Sequence, residues 1–384
     1  VPRDKIGIIG LGYVGLPLSI AAAKKFGEVV GYDRNAKLIQ DLKSGFSHIK
    51  DVSNEQLEEA RLRHKMLLTD NLEDLTKVEL CIICVPTPVY EDGKPNLSFL
   101  TDAVNDLATV LSDQCVIINE STSFPGTLRE VIQQNFESNR ANRKKPIGYV
   151  AAPERIDPGN GKYAHHNTPR VIGGTNKESV DIAHEFYRSL GAEVKVVSSP
   201  EVAEFSKLLE NTFRLVNISF VNELVSYSKK IGVDINEVID AASTKPFGYL
   251  EFRPGPGIGG HCIPVDPYYL LHSAFKHDEK LTLVKSSFEI NSSISKNICK
   301  LVNDLFTQEP NKSILIVGVA YKQNVLDTRE SPAIDIAKKL ESDSHKIYWQ
   351  DALVTEWNYG RKYQSEKIDL VIALGSSTLE EIQQ

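Results

Sequence analysis

Short apolar runs with little alternation punctuate the first half of the chain, at residues 5–10, 28–33, 66–69, 80–85, 115–120 and 148–152. A strand that is apolar at nearly every position is one buried on both faces, which is the habit of parallel sheets. Between the runs lie stretches with helical spacing, notably 97–111 and 127–136. Such alternation predicts a doubly wound parallel sheet with helices on both sides. The pattern then changes. Residues 201–231 read as one long helix ended by Gly232, apolar at Val202, Phe205, Leu208, Leu209, Phe213, Val216, Phe220, Leu224 and Tyr227. A solvated helix carries less apolar surface than this, so a spine buried by domains or by a second subunit is predicted. Helices over 234–242, 266–276 and 281–306 surround it, and the β/α alternation restarts with strands at 313–320, 345–349 and 369–374 around a helix at 331–340.

The first run leads into Gly10-Leu11-Gly12-Tyr13-Val14-Gly15 and a helix to about Phe26, and the second ends in Asp33. Strand, GxGxxG, helix, strand and acidic residue form the context that gives the glycine pattern meaning. Gly10 permits the turn, Gly12 lets backbone approach a pyrophosphate, and Gly15 allows close helix–strand packing, with the phosphates at the helix N-terminus. Asp33 would accept from a ribose 2′-hydroxyl, which favours NAD over NADP. The last β/α segment lacks this fingerprint, since Gly318 stands alone, so its natural guest is a nucleotide and not a dinucleotide. The predicted architecture is α/β: two Rossmann-like doubly wound parallel-sheet domains joined by a long central helix and a helical middle domain, divided at 1–199, 200–308 and 309–384.

In such sheets ligands bind beyond the C-terminal strand ends. Polar loops stand there at 86–88, 120–122 and 153–158, each of which taken alone is ordinary turn chemistry. On the long helix, Lys207 and Asn211 are spaced i, i+4 and share a face; the alternative is a surface ladder of Lys207 with Glu204 and Glu210. Residues 255–270 place four glycines in a tight loop and deliver Cys262 and Asp266 to the start of a helix. A thiol there lies where positive potential favours thiolate, although a structural turn beside an inert cysteine has the same spacing.

Composition narrows the classes. The 384 residues carry 44 Lys plus Arg against 51 Asp plus Glu, which argues against nucleic acid as a main partner. No apolar run has membrane-spanning length and no secretory pattern opens the sequence, so a cytoplasmic chain without a membrane partner is expected. Five cysteines, an odd number, fit reduced thiols. Cys81 and Cys84 form a C-x-x-C pair, but on a strand that spacing puts them on opposite faces, as core residues and not as a zinc or redox pair. No metal site is expected.

The segments GLGYVGLP, PTP, ESTSFPGT, PERIDPG, the Lys207/Asn211 helix, GPGIGGHCIPVDPYYL and GVAYKQNVLDTRESP follow one another in this order. Together they resemble the UDP-glucose/GDP-mannose dehydrogenase family from Lys5 to about Leu374. GGHCIPVDPYYL, with AASTKPFG at 241–248, is similar to its UDP-N-acetylhexosamine branch, and in particular to UDP-N-acetylglucosamine 6-dehydrogenases. The resemblance implies oxidation of a sugar C6 alcohol to a carboxylate with two NAD, for surface polysaccharide precursors; the apolar face of the 201–231 helix separately predicts a homodimer. It implies that Lys207 and Asn211 stabilise the oxyanion, that Cys262 forms a thiohemiacetal and then a thioester, and that Glu154 helps activate the hydrolytic water. Asp266 and Thr122 would position that water or tune the lysine. The NAD would be held by Gly10, Gly12, Tyr13, Val14, Gly15, Asp33, Pro86, Thr87, Ser121, Thr122 and Arg329. The UDP-sugar would meet Glu154, Arg155, Lys207, Asn211, Arg253, Gly257, Gly259, Gly260, Tyr321 and Lys322. His261, beside the thiol, is expected to be a loop or substrate contact. Many UDP-glucose enzymes carry a second glutamate where this chain has Pro158, with Asp157 one residue off.

Two rival readings arise, and the first is set aside because Cys262 and a second β/α half are both present. A two-electron β-hydroxyacid dehydrogenase would need Lys207 and Asn211, but neither Cys262 nor a second β/α half. A protein that binds NAD and a nucleotide sugar without turnover would rest on Pro158 and the short C-terminus alone. UDP-N-acetylmannosamine and UDP-glucose are the alternative sugars.

Overall fold

A computed structural model describes residues 5–49, 52–140, 146–156, 168–260, 262–307, 309–322 and 325–374. Asp157, Pro158, His261 and most of the basic turn at 139–145 lie outside the described residues. The chain divides into two compact units, Val1–Leu209 with Tyr268–Ser273, and Glu210–Pro267 with Ala274–Gln384.

The first unit holds strands β1 (Ile6–Ile9), β2 (Val29–Tyr32), β3 (Met66–Thr69), β4 (Leu80–Ile83), β5 (Val116–Asn119), β6 (Gly148–Ala151), β7 (Arg170–Gly174) and β8 (Val194–Val196). Its helices are α1 (Gly15–Phe26), α2 (Ala36–Lys43), α3 (Asn54–Arg63), α4 (Ser98–Val110), α5 (Gln134–Ser138) and α6 (Lys177–Ser189). The strands form one sheet in the order β3-β2-β1-β4-β5-β6-β7-β8. Pairing is parallel from β3 to β6, as the unbroken apolar runs require. The edge departs from the predicted all-parallel sheet: β7 runs antiparallel to β6, and β8 follows β7 in parallel. Neither edge strand has a long apolar run, because β7 opens on an arginine and β8 is three residues, two of them exposed.

Alternate strand residues feed two cores. Ile8, Ile82, Ile118 and Val150 pack under Leu16 and Leu18 of α1 and Phe186 of α6. Ile9, Ile83, Ile117 and Ala151 pack under Leu100, Val104 and Leu107 of α4. Cys81 belongs to the second core and Cys84 packs against the first, so the two thiols do lie on opposite faces.

The second unit repeats the theme on a smaller scale. Strands β9 (Ser313–Val317), β10 (Lys346–Gln350), β11 (Arg361–Lys362) and β12 (Leu370–Ala373) form a parallel sheet in the order β11-β10-β9-β12. Helix α11 (Pro332–Ser342), capped by the Ser331 side chain, packs with Cys299 and Val302 on Ile314, Ile316 and Trp349. The repetition extends to the backbone. Gly10 (φ 90°) donates its N–H to Tyr32 O, and Gly318 (φ 83°) donates to Gln350 O. Asp33 closes β2 and Asp351 closes β10, and each accepts N–H bonds from the loop after the preceding strand of its sheet. The lone glycine of the sequence is therefore the counterpart of the first fingerprint glycine.

The long helix α7 (Pro200–Lys230) is joined by α8 (Ile235–Ser243), α9 (Asp266–Lys276) and α10 (Thr282–Leu305). On α7 the side chains of Glu204, Lys207, Leu208, Asn211, Leu215 and Ser219 are buried along one face. On the opposite face Val202, Phe205, Leu209, Phe213, Phe220 and Tyr227 are exposed, Leu209 and Tyr227 each by 61%. Among the described residues no helix is long and apolar enough to cross a membrane.

Glu204 does not join a surface ladder with Lys207. It is buried, and its carboxylate accepts the N–H groups of Gly126 (2.7 Å) and Leu128 (2.8 Å). Leu128 opens the helical segment Leu128–Gln133, where a first-turn N–H has no partner within the helix, and Gly126 stands just before its N-cap residue Thr127. Glu204 thus caps that helix from α7. Removing the carboxylate by Glu204→Ala leaves both groups buried and unpaired, which should cost about 2–4 kcal/mol in denaturant unfolding. Burial, opposed by these hydrogen bonds, pushes the Glu204 carboxyl up to about 8, from an ordinary value near 4.5. The folded state therefore holds the proton more tightly, and this contribution to stability is complete at low pH and lost as pH rises from about 4.5 to about 8. The melting temperature of Glu204→Gln should fall less over that window than that of the unaltered chain.

Candidate active site

The glycine fingerprint has the geometry that a dinucleotide requires. Gly10 is left-handed, and a Cβ there would stand 2.8 Å from Cys84 O. A Cβ on Gly15 would lie 1.8 Å from Gly10 O, so α1 approaches β1 as only glycine permits. A Cβ on Gly12 would meet nothing within 4 Å among the described residues, which leaves the backbone open to a pyrophosphate. Tyr13 and Val14 lead into α1, with Tyr13 40% exposed. Asp33 accepts the N–H of Leu11 through Oδ2 and that of Asn35 through Oδ1, both at 2.9 Å. It braces the loop and, with about four acceptor positions on a carboxylate, keeps capacity for a ribose hydroxyl. These residues fit NAD.

Strand ends β4, β5 and β6 deliver the three polar loops. After β4, the Tyr269 hydroxyl points at the carbonyls of Thr87 (3.0 Å) and Pro88 (3.2 Å), which fixes the loop that includes Pro86. After β5, the Ser121 hydroxyl donates to Val85 O at 2.7 Å and joins this loop to its neighbour; Thr122 follows, half-buried. After β6, Glu154 is buried and its Oε1 accepts the N–H groups of Arg155 (2.6 Å) and Ile156 (2.7 Å). The Arg155 side chain donates to Pro169 O. Glu154 Oε2 forms an ion pair with Arg170 at 2.8 Å. Arg170, Glu120 and Tyr187, which the sequence did not single out as site residues, stand together behind Glu154. An arginine opening an otherwise apolar strand was the available signal for Arg170.

Lys207 and Asn211 are both buried, one turn apart on α7. Asn211 donates to Asp266 Oδ2 at 2.5 Å. Asp266, itself buried, begins α9 and is followed by Pro267, a favourable residue in a first turn. The Cys262 carbonyl accepts the N–H groups of Val265 (3.1 Å) and Asp266 (2.8 Å), so the cysteine sits in a tight turn feeding the helix. Its thiol is reduced, and the residue is half-buried.

Residues 255–260 are held at several points. Gly255 N–H donates to Asn222 and Ile258 N–H to Asn291. A Cβ on Gly259 would be 2.8 Å from both Glu330 O and the Tyr321 side chain, and one on Gly260 would be 2.7 Å from the Tyr321 ring. Gly257 is left-handed at φ 122°. Tyr321, expected as a substrate contact, is therefore also the wall that dictates two of the glycines. Lys322 beside it is half-buried. Arg253, expected to meet the UDP-sugar, is exposed and paired with Asp240 (2.5 Å) and Glu251 (2.7 Å). Those two carboxylates compensate its charge locally. Arg329 is likewise paired, with Asp327 at 2.7 Å.

Comparison with known proteins agrees with this organisation. Models of the UDP-glucose/GDP-mannose dehydrogenase family match over residues 4–191 (NAD binding domain), 201–293 (central domain) and 315–382 (UDP binding domain). The UDP-N-acetyl-D-glucosamine 6-dehydrogenase of Pseudomonas aeruginosa is 34% identical over 344 residues, covering 88% of this chain and 80% of the relative. The UDP-N-acetyl-D-mannosamine dehydrogenase of Pyrococcus horikoshii is 35% identical over 357 residues, covering 91% and 84%. A solved structure of the UDP-D-ManNAc dehydrogenase from Pyrococcus horikoshii superposes with a TM-score of 0.88 at 31% identity, over 97% of this chain and 89% of that one. With an NAD-binding and a UDP-binding domain flanking a central one, the chain belongs to the UDP-glucose/GDP-mannose dehydrogenase family of NAD-dependent nucleotide-sugar dehydrogenases.

Proposed function

We propose that this enzyme oxidises the C6 alcohol of UDP-N-acetylglucosamine to the uronic acid in two steps through Cys262, as a supplier of surface polysaccharide precursors. The observation that carries the reading is the GGHCIPVDPYYL sequence, whose described parts are a glycine loop to Gly260 and a cysteine turn from Cys262 into a helix opened by Asp266. Relatives named for N-acetylmannosamine give its UDP derivative, the C2 epimer, standing as a second substrate reading.

NAD, when bound, supplies the two-electron acceptor for each oxidation. Lys207 and Asn211 stabilise negative charge on the C6 oxygen, with Asp266 holding the Asn211 amide. The Cys262 thiolate adds to the C6 aldehyde and forms a thiohemiacetal, and a second oxidation leaves a thioester. Glu154 activates the water that hydrolyses it, and Thr122 helps position that water. Lys322 and Tyr321 meet the UDP portion, with the backbone of 257–260 beside them; Arg253, already paired, contributes less to the diphosphate. The domain divisions near 199 and 308 follow the change from sheet to helix and back. The exposed apolar stripe on α7 is read as the dimer contact, since a two-fold axis pairs a self-complementary stripe with itself.

Three outcomes are expected. Incubation with NAD and a panel of UDP-N-acetylglucosamine, UDP-N-acetylmannosamine, UDP-N-acetylgalactosamine and UDP-glucose should give two NADH per sugar, fastest with the first; a higher kcat/KM for another sugar reassigns the substrate. Cys262→Ser should bind both ligands yet lose turnover by orders of magnitude, because a hydroxyl is a poor nucleophile near neutral pH. Near-normal uronic acid formation by that variant would exclude the covalent route. Light scattering at micromolar concentration should give twice the 42.7 kDa chain mass, and Leu209→Glu with Phe220→Glu should reduce it to one.

A further inference from the structure

Arg170 opens β7, and its side chain is 1% exposed. Its Nη1 lies 2.8 Å from Glu154 Oε2 and 3.2 Å from Glu120 Oε2. The Tyr187 hydroxyl, from α6, donates to the other oxygen of Glu120 at 2.6 Å, and the guanidinium carbon is 5.1 Å from the centre of the Tyr187 ring. One guanidinium therefore serves two buried carboxylates that arrive from different strand ends. Guanidinium remains charged at every accessible pH, so ionisation of both carboxylates leaves an excess negative charge where water is scarce. Burial and the nearby Glu154 charge push the Glu120 carboxyl up to about 7, against the pull of Arg170 and the Tyr187 hydrogen bond. Cys84, from the end of β4, also faces Glu120; burial pushes its thiol well up, so it contributes no charge near neutrality. The Tyr187 hydroxyl is pushed up in the same way.

We propose that Arg170 is the positioning residue for Glu154 in thioester hydrolysis, and that Glu120, held by Tyr187, sets how much of the guanidinium charge Glu154 receives. This rests on the reading of Cys262 and Glu154 given above. In the step concerned, water adds to the acyl carbon and the C–S bond breaks with its electron pair left on sulfur. One proton of the water passes to Glu154 and the other reaches solvent as the product acid ionises. Glu154 must therefore be ionised, rotationally fixed and still basic. The N–H groups of Arg155 and Ile156 fix one oxygen by hydrogen bonds, and the Arg170 charge stands 2.8 Å from the other while its Nη1 donates to Glu120. While Glu120 is neutral, the guanidinium charge acts on Glu154 alone and weakens it as a base. Once Glu120 ionises, it competes for Arg170 and Glu154 becomes the stronger base. Hydrolysis should therefore accelerate as pH rises through about 7.

The test is rapid quench of the full chain with NAD and UDP-N-acetylglucosamine, or its C2 epimer if the sugar panel favours it. Intact mass reads acyl-Cys262, and absorbance reads NADH. Arg170→Lys should form NADH in the first turnover within about twofold of the unaltered rate, yet hydrolyse the acyl-enzyme about tenfold more slowly, so that the acylated chain accumulates. Glu120→Gln removes the titration without adding bulk and should lose the rise in hydrolysis near pH 7. If Arg170→Lys fails to fold, as judged by circular dichroism, the Glu120→Gln profile decides: loss of the rise supports the inference and its retention overturns it. If Glu154→Gln slows hydrolysis while Arg170→Lys and Glu120→Gln behave as the unaltered chain, the positioning role is overturned and the assignment of Glu154 stands. If Glu154→Gln hydrolyses at the unaltered rate, the assignment of Glu154 is wrong and the inference falls with it.

Discussion

Both faces of the eight-stranded sheet are covered by helices, so a polar side chain in the middle of a strand would be sealed off from water. Chemistry is thereby driven to the C-terminal strand ends. Gly10, the loop at 86–88, Ser121 and Glu154 follow β1, β4, β5 and β6 in turn. Where ionisable side chains do go inside, they go with partners. Glu120 and Glu154 enter with Arg170, and Glu204 enters against two backbone N–H groups. The reversed strand β7 has a clear use in this light: it carries the guanidinium into a place where the parallel strands offer only carboxylates.

The two sheet units share a frame and differ in how they complete it. In the first, Asp33 accepts two backbone N–H bonds, and the loop it braces is open at Gly12. In the second, Asp351 accepts four, from Val319, Ala320, Leu353 and Val354. A carboxylate with its acceptor positions filled by backbone has no capacity left for a ribose. The same strand–glycine–helix–strand–aspartate frame can thus hold a dinucleotide in one unit and be a purely internal brace in the other. This agrees with the separate NAD binding and UDP binding domains of the family.

The parallel core was legible because two-sided burial writes itself as unbroken apolar runs, and all six runs of the first half became strands. The fingerprint glycines were legible for the same kind of reason, since each meets a steric demand that no other residue satisfies. What escaped was set by partners distant in sequence. Arg170 gives no periodic signal, and its use shows only when Glu120, fifty positions earlier, is seen beside it. Glu204 reads as one rung of a helical charge ladder until the N–H groups of Gly126 and Leu128 are found under it. Arg253, expected to meet the UDP-sugar, pairs with Asp240, thirteen positions earlier, and that pairing leaves no mark in the sequence pattern. Side-chain pairing across the chain leaves no periodicity to detect.

The fit of Tyr321 against Gly259 and Gly260 has an evolutionary consequence. A methyl group at either glycine would overlap the tyrosine side chain, and at Gly259 the carbonyl of Glu330 as well. These sites therefore cannot drift freely: at Gly260 a side chain needs a smaller aromatic wall and still meets a left-handed backbone, and at Gly259 the Tyr321 Cβ and the Glu330 carbonyl stay in the way whatever replaces the ring. In this chain a change in what the loop admits is therefore reached more cheaply through the side chains around it than through Gly259 or Gly260.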